Sequence, residues 1–359
     1  MNDSTNQLKV VFITRKWPPA VGGMETYSIE LASELAHRVN LQTIFLPGRD
    51  GGGTPSGKAI LGFFFKAVSA IARSKKVHVF HVGDMAMWPL AFVANLLKPK
   101  SRSVISAHGT DVAFGIRPGL APKIYNFYLR SGAVLLGRRT TVIANSTPTA
   151  GFCTNAGYRN VKVVALGTFA KPDVISAQVA SPKYVLFVGR LAVRKGLGWF
   201  AREVLPLLPP NISVKVAGSA WDASETQAIE GNPRVEFLGP VYGDELATLR
   251  TGALAVIMPT IPLSGRDFEG FGLTAIEASA VGAVLVASAV DGIVDAVREG
   301  ETGFLIAEGN PQAWADKIVE ISAWPSAKRL AFVQNAQRVT REYYSWSRVA
   351  DDCVRIYNE

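Results

Sequence analysis

Tyr184-Val185-Leu186-Phe187-Val188-Gly189-Arg190-Leu191-Ala192-Val193-Arg194-Lys195-Gly196 carries an apolar run of strand length into a glycine and then into cations. That order describes the carboxyl end of a buried strand turned toward an anion. Arg190 can fork onto two phosphate oxygens, and Lys195 can add a point charge, so together they can neutralise a diphosphate. About eighty residues further on stands Glu269-Gly270-Phe271-Gly272-Leu273-Thr274-Ala275-Ile276-Glu277. Gly270 and Gly272 let the backbone approach a ligand, and the amides opening the helix that follows can point at phosphate oxygens. Glu269, before that helix, can accept sugar hydroxyls. Glu277, just over a turn inside it, can accept the paired hydroxyls of a ribose. Either motif alone also reads as a solvated helix face or an ordinary turn; together they outline a nucleotide-sugar site.

Outward from these motifs, apolar runs of strand length alternate with helical segments, the pattern of parallel sheets covered by helices. The first half predicts strands over Lys9–Thr14, Leu41–Leu46, Val77–Val82, Ser103–Ala107, Thr141–Asn145 and Lys162–Ala165. The second predicts Tyr184–Val188, Ser213–Ala217, Val235–Leu238, Leu254–Met258 and Val284–Ala287. Each half therefore reads as a doubly wound α/β domain with ligands at the carboxyl ends of its strands. Apolar patterning lapses over residues 170–183, where Lys171-Pro172-Asp173 and Ser181-Pro182 punctuate the chain, so the join is placed there and the active site between the halves. Gly51-Gly52-Gly53-Thr54-Pro55-Ser56-Gly57 reads as a mobile loop near an acceptor.

The chain has 359 residues, long enough for two ordinary domains, and its 48% hydrophobic content supports real cores. Met1 to Gln7 is polar, without a basic start or an apolar stretch, so no secretory leader is expected and the cytoplasm is the expected compartment. No run approaches the ~18 apolar residues of a membrane span. Cys153 and Cys353 suit buried thiols rather than a disulfide framework. His37, His78, His81 and His108 form no metal-ligand spacing, and no Asp-x-Asp pair is present, so metal-independent chemistry without a cofactor is expected.

Charge is uneven. Through Lys171 there are 21 Lys+Arg against 7 Asp+Glu; the remainder has 17 against 22. A basic first half implies an anionic partner. Lys58, Lys66 and Arg73, and again Lys123, Arg130 and Arg138, recur at steps that keep them on one helix face. Phe63, Phe64, Phe65, Tyr125, Phe127 and Tyr128 lie among them, which suits either a core beneath a solvated face or peripheral contact with an anionic membrane. Gly22-Gly23-Met24-Glu25 follows the first strand and can form a turn whose amides face an anion, or an ordinary turn with Glu25 offsetting the helix dipole. His108-Gly109-Thr110-Asp111 follows the strand ending at Ala107, where a histidine can touch a ligand.

With these segments in one order, the chain resembles the retaining glycosyltransferases of family 4 over nearly its full length. The resemblance implies the GT-B fold: two Rossmann-like domains facing across a cleft, at 1–170 for the acceptor and 171–340 for the nucleotide sugar. A last helix within 341–359, opened by Tyr344-Ser345-Trp346-Ser347, would cross back to the first domain. It also implies that Arg190 and Lys195 bind the donor diphosphate, Gly270, Phe271, Gly272 and Leu273 support phosphate and sugar, Glu269 and His108 hold the sugar, and Glu277 holds the ribose. Gly22 and Gly23 would line the cleft, with Glu25 and Asp111 as acceptor-side or cleft residues. Asp291-Gly292 departs from the family's more usual Gly-Gly, and Ala283 stands near a usual proline-bearing turn. The implied reaction is transfer from a UDP- or GDP-sugar to a lipid-linked or cell-surface glycan intermediate in envelope polysaccharide synthesis. Three rival readings are a GT-B nucleotide-sugar epimerase, a silent nucleotide-sugar scaffold and a nucleic-acid binder. No nucleic-acid-binding signature supports the last.

Overall fold

The computed structural model describes residues 7–20, 22–49, 53, 55–169, 184–263 and 268–359. The expected join at 170–183 and residues 51, 52 and 54 of the glycine-rich loop lie outside them. Two six-stranded sheets, each with all neighbours parallel, carry the chain. The first has strands β1 Lys9–Thr14, β2 Asn40–Phe45, β3 Val79–Val82, β4 Arg102–Ala107, β5 Thr140–Ala144 and β6 Val161–Val163, in the order β2-β1-β3-β4-β5-β6. The second has β7 Tyr184–Val188, β8 Ser213–Ala217, β9 Val235–Gly239, β10 Ala255–Met258, β11 Leu285–Ser288 and β12 Phe304–Ile306, in the order β12-β11-β10-β7-β8-β9. All eleven expected strands are present, β1, β7 and β8 with the expected limits. β12 was not expected. It is a three-residue edge strand, too short for a period to show.

The central strands are apolar on both faces because helices cover both, as parallel sheets require. In one compact unit, comprising Met1–Gly167, Gly265–Phe271 and Trp346–Glu359, the core gathers Val11, Ile13, Phe80, Val82, Ile105 and Val142. The other unit, Thr168–Ser264 with Gly272–Ser345, is built on Val185, Phe187, Val214, Val216, Ile257 and Val286, with the fully buried Trp314 against them. The helix Trp346–Asn358 belongs to the first unit. It buries Val349, Ala350, Cys353 and Tyr357 there, and Arg38 holds Asp351 at 2.6 Å.

Tyr357 also anchors a buried polar chain. Its hydroxyl lies 2.6 Å from Nδ1 of His81, whose Nε2 lies 2.7 Å from Oγ of Ser106, itself 2.7 Å from the Tyr27 hydroxyl. Burial, and secondarily the neighbouring His108, lowers His81 from 6.5 to about 3. The folded protein therefore holds His81 neutral while the unfolded chain protonates below 6.5, so stability rises with pH across that window. Asp111, which burial raises above the ordinary carboxylate range, acts in the opposite sense. We expect the melting temperature to fall on acidification from pH 6.5, with His81 alone contributing up to about 1.4 kcal/mol per unit. The His81→Gln variant should show a shallower slope in melting scans; an unchanged slope refutes the assignment to His81.

Candidate functional site

In the first unit, β4 delivers His108 at its carboxyl end. The imidazole is buried, and its Nε2 lies 2.9 Å from the carbonyl oxygen of Gly83, just past β3. A carbonyl only accepts, so Nε2 carries a proton, and in the neutral tautomer Nδ1 is the ring's acceptor. Tyr27 fixes the ring plane edge-on at 4.6 Å. Gly109 adopts φ +91°, and a β-carbon there would stand 2.6 Å from Cα of Gly270 and 2.9 Å from the Phe268 ring, so the bare glycine lets the segment 268–271 approach closely. Gly270 likewise has no room for a β-carbon against the His108 carbonyl oxygen, which also accepts a bond from Asn145 Nδ2 at 3.3 Å. Its bareness thus serves contact within the protein, whereas the sequence suggested contact with a ligand. Phe268 packs against Phe152, ring centres 4.9 Å apart, Phe271 is buried, and Glu269 between them is half-buried.

Asp111 spends both oxygens on backbone: Oδ1 accepts from the amide of His108 at 2.8 Å and Oδ2 from that of Met85 at 3.1 Å. These two bonds tie the His108 loop to the turn after β3. Gly22 is extended, at φ 170°, and the Glu25 carboxylate lies where its β-carbon would be, 2.6 Å away; Glu25 also pairs with Lys16 at 3.4 Å. Gly23 opens the helix Gly23–Ala36. The sequence reading overlooked the neighbouring pair Arg15 and Asp84, joined at 3.0 Å with the Asp84 side chain fully buried. Arg15 directly follows β1, so its place at a strand's carboxyl end was a usable signal.

In the second unit, Gly189 at φ +147° turns the chain out of β7 and Arg190 emerges exposed, its guanidinium 4.8 Å from the Trp221 ring centre. Trp221 was missed because nothing local marks it. The turn Val193–Lys195 is tied down on two sides: the Val193 amide donates to Asp222 Oδ2 at 2.9 Å, and the Ile261 amide to the Arg194 carbonyl at 2.8 Å. Gly196 ends it in the left-handed region at φ +71° with no space for a β-carbon beside the Pro259 carbonyl. Lys195 is thereby carried on a turn braced to the segment after β10.

Gly272, left-handed at φ +94°, caps the helix Leu273–Ala280, and among the described residues no side chain caps that end. Its first amides lie where the sequence reading expects groups that can point at phosphate oxygens. One full turn in, Glu277 Oε2 accepts from Nη2 of Arg250 at 2.6 Å. Arg250 is a further residue sequence reasoning missed; its side chain is nearly buried while that of Glu277 is 40% exposed. Asp291 sits left-handed at φ +50°, a conformation that suits the glycine more usual there. The motif Glu269–Glu277 is thus divided between the units at Phe271 and Gly272. Among the described residues no group of three His, Cys, Asp or Glu could hold a metal, and no helix is long and apolar enough to cross a membrane.

Residues 21–170 match the family Glycosyltransferase Family 4, and residues 182–323 match Glycosyl transferases group 1. An uncharacterized glycosyltransferase, MJ1607 of Methanocaldococcus jannaschii, is 33% identical over 183 residues, 49% of this chain and 44% of that protein. A D-inositol 3-phosphate glycosyltransferase of Salinispora tropica is 31% identical over 238 residues, 62% of this chain and 46% of that protein. The chain spans about half the length of the curated relatives it matches. Anabaena Alr3699/HepE, solved with UDP and glucose, superimposes with a TM-score of 0.70 at 20% identity, covering 98% of this chain and 100% of that one. Sucrose-phosphate synthase of Thermosynechococcus elongatus superimposes with a TM-score of 0.71 at 19% identity, covering 98% of each chain.

Proposed function

The chain belongs to the GT-B glycosyltransferases of family 4 type, and from that premise we propose that it moves a sugar from a UDP- or GDP-sugar to a lipid-linked glycan intermediate, with retained configuration and without metal. One observation carries the donor side: an exposed, stacked Arg190 at the carboxyl end of β7, next to the braced Lys195 turn. A cation held in place without being buried is suited to a diphosphate. HepE, solved with UDP and glucose, supports the same donor class.

In this reading the bond from the sugar's anomeric carbon to the diphosphate oxygen breaks as the acceptor hydroxyl bonds to that carbon on the same face. The departing diphosphate takes the hydroxyl proton. Arg190, Lys195 and the first amides of Leu273–Ala280 stabilise the charge growing on the leaving group. Glu269 and the Nδ1 lone pair of His108 accept sugar hydroxyls, Glu277 accepts those of the ribose, and the remaining contribution is positioning.

A thermal-shift panel of UDP, GDP, ADP and their sugar conjugates without added metal tests it. One nucleotide should raise the midpoint selectively, by the equivalent of about 2.7 kcal/mol at a hundredfold excess over its dissociation constant. NMR of the product should show the donor's anomeric configuration, and turnover should survive a chelator. No response to any nucleotide refutes the donor site, and stabilisation without turnover argues for a silent scaffold; an inverted product or chelator-sensitive turnover refutes the corresponding part.

A further inference from the structure

We propose that the outward face of the helix Leu120–Leu136 docks this protein on an anionic lipid bilayer. The helix is apolar on two opposite sides. Pro122, Leu129, Ala133 and Leu136 face the core of the first unit, while Leu120, Ile124, Phe127, Val134 and Leu135 point away from it. Phe127 is 73% exposed and Val134 81%. A helix hydrophobic all round is ordinarily covered all round, and this one is covered on one side only. The structure also divides the aromatics of the basic half. Phe63 is buried and Tyr125 and Tyr128 pack against the core, whereas Phe65 and Phe127 remain exposed.

Charge selects the occupant. Between Asp111 and Asp173 the sequence holds eight cations and no carboxylate. Lys123 and Arg130 border the outward stripe, and Arg138 and Arg139 follow the helix end, all exposed. Arg130 also lies between two hollows. One, of about 300 Å³, is lined by Arg130, Ala133, Val134 and Arg159; the other, of about 230 Å³, by Arg130, Ile116, Leu129 and Phe152. Apolar side chains bordered by arginines suit insertion at the headgroup boundary, with phosphates drawn to the cations. A second copy would bring two faces of the same sign together, and nucleic acid offers nothing to the apolar stripe. This surface does not depend on the donor site, so either reading can fail without the other.

Flotation of the full chain with vesicles of phosphatidylcholine alone, and of equal parts phosphatidylcholine and phosphatidylglycerol, tests the proposal. The protein should rise with the mixed vesicles, and added salt should release it. Ile124→Asp/Phe127→Asp should weaken binding at least about tenfold, and Lys123→Gln/Arg130→Gln by roughly the same factor, since each cation near such a surface contributes appreciably. All four positions are exposed, and an unchanged melting temperature shows that the variants fold. Failure to float with either lipid, binding undiminished in the Ile124→Asp/Phe127→Asp variant, or a dimer in light scattering that this variant dissolves would each overturn it.

Discussion

Arg190→Ala should lower turnover at saturating donor by about 10²–10³-fold, the usual cost of removing one donor aimed at developing transition-state charge. The guanidinium is exposed at the end of β7 and rests on Trp221, so its removal opens no cavity and unfolds nothing. The diphosphate gains negative charge as the glycosidic bond breaks, and the interaction therefore strengthens between ground state and transition state. Turnover and kcat/KM should fall together, with little change in the donor's KM. Arg190→Lys keeps the charge and loses the fork, so it should recover only part of the rate. Trp221→Ala provides the control for orientation. An exposed cation–π contact is worth about 0.5–1 kcal/mol, and the rate should fall by only a few-fold. Near-normal turnover in Arg190→Ala removes Arg190 from the mechanism.

The fold was legible because its strands are buried on both faces. Runs such as Val10–Ile13 and Val185–Val188 are continuous in sequence, so their number and order could be read, while ends drifted by one or two residues where solvent meets the sheet. β12 escaped because an edge strand of three residues carries no period. The candidate site's local turns were legible where one chain segment carries them, as in Gly189–Gly196 and Gly270–Glu277. The site was obscure where the chemistry depends on residues brought together by the fold. Asp111, which the resemblance places at the acceptor side or cleft, accepts from two backbone amides, and nothing in His-Gly-Thr-Asp announces those bonds. Gly270 was rightly singled out for a close approach, but the neighbour it admits is the His108 carbonyl. Tyr125 and Phe127 are two residues apart on one helix, and that offset sends the first toward the core and the second into solvent.

The pairing of Glu277 with Arg250, 27 residues earlier, sets the second large effect. Glu277→Ala should abolish nucleotide-induced stabilisation and also lower the protein's own stability. Arg250 is 7% exposed, its Nε has no partner among the described residues, and the substitution deprives Nη2 of its carboxylate. Leaving such a buried charged group unpaired costs about 1–3 kcal/mol or somewhat more. The two losses have separate causes and can be taken apart. In Arg250→Leu/Glu277→Ala both partners are gone, and replacing a pair by apolar groups of similar shape is nearly neutral, so the melting temperature should recover substantially. The nucleotide response should not recover, because the acceptor for the ribose hydroxyls is still missing. Glu277→Gln retains an acceptor for both Arg250 and the ribose and should fall between wild type and Glu277→Ala on both readouts. If the double variant regains the nucleotide response together with its stability, Glu277 serves only to neutralise Arg250, and the ribose must be held elsewhere.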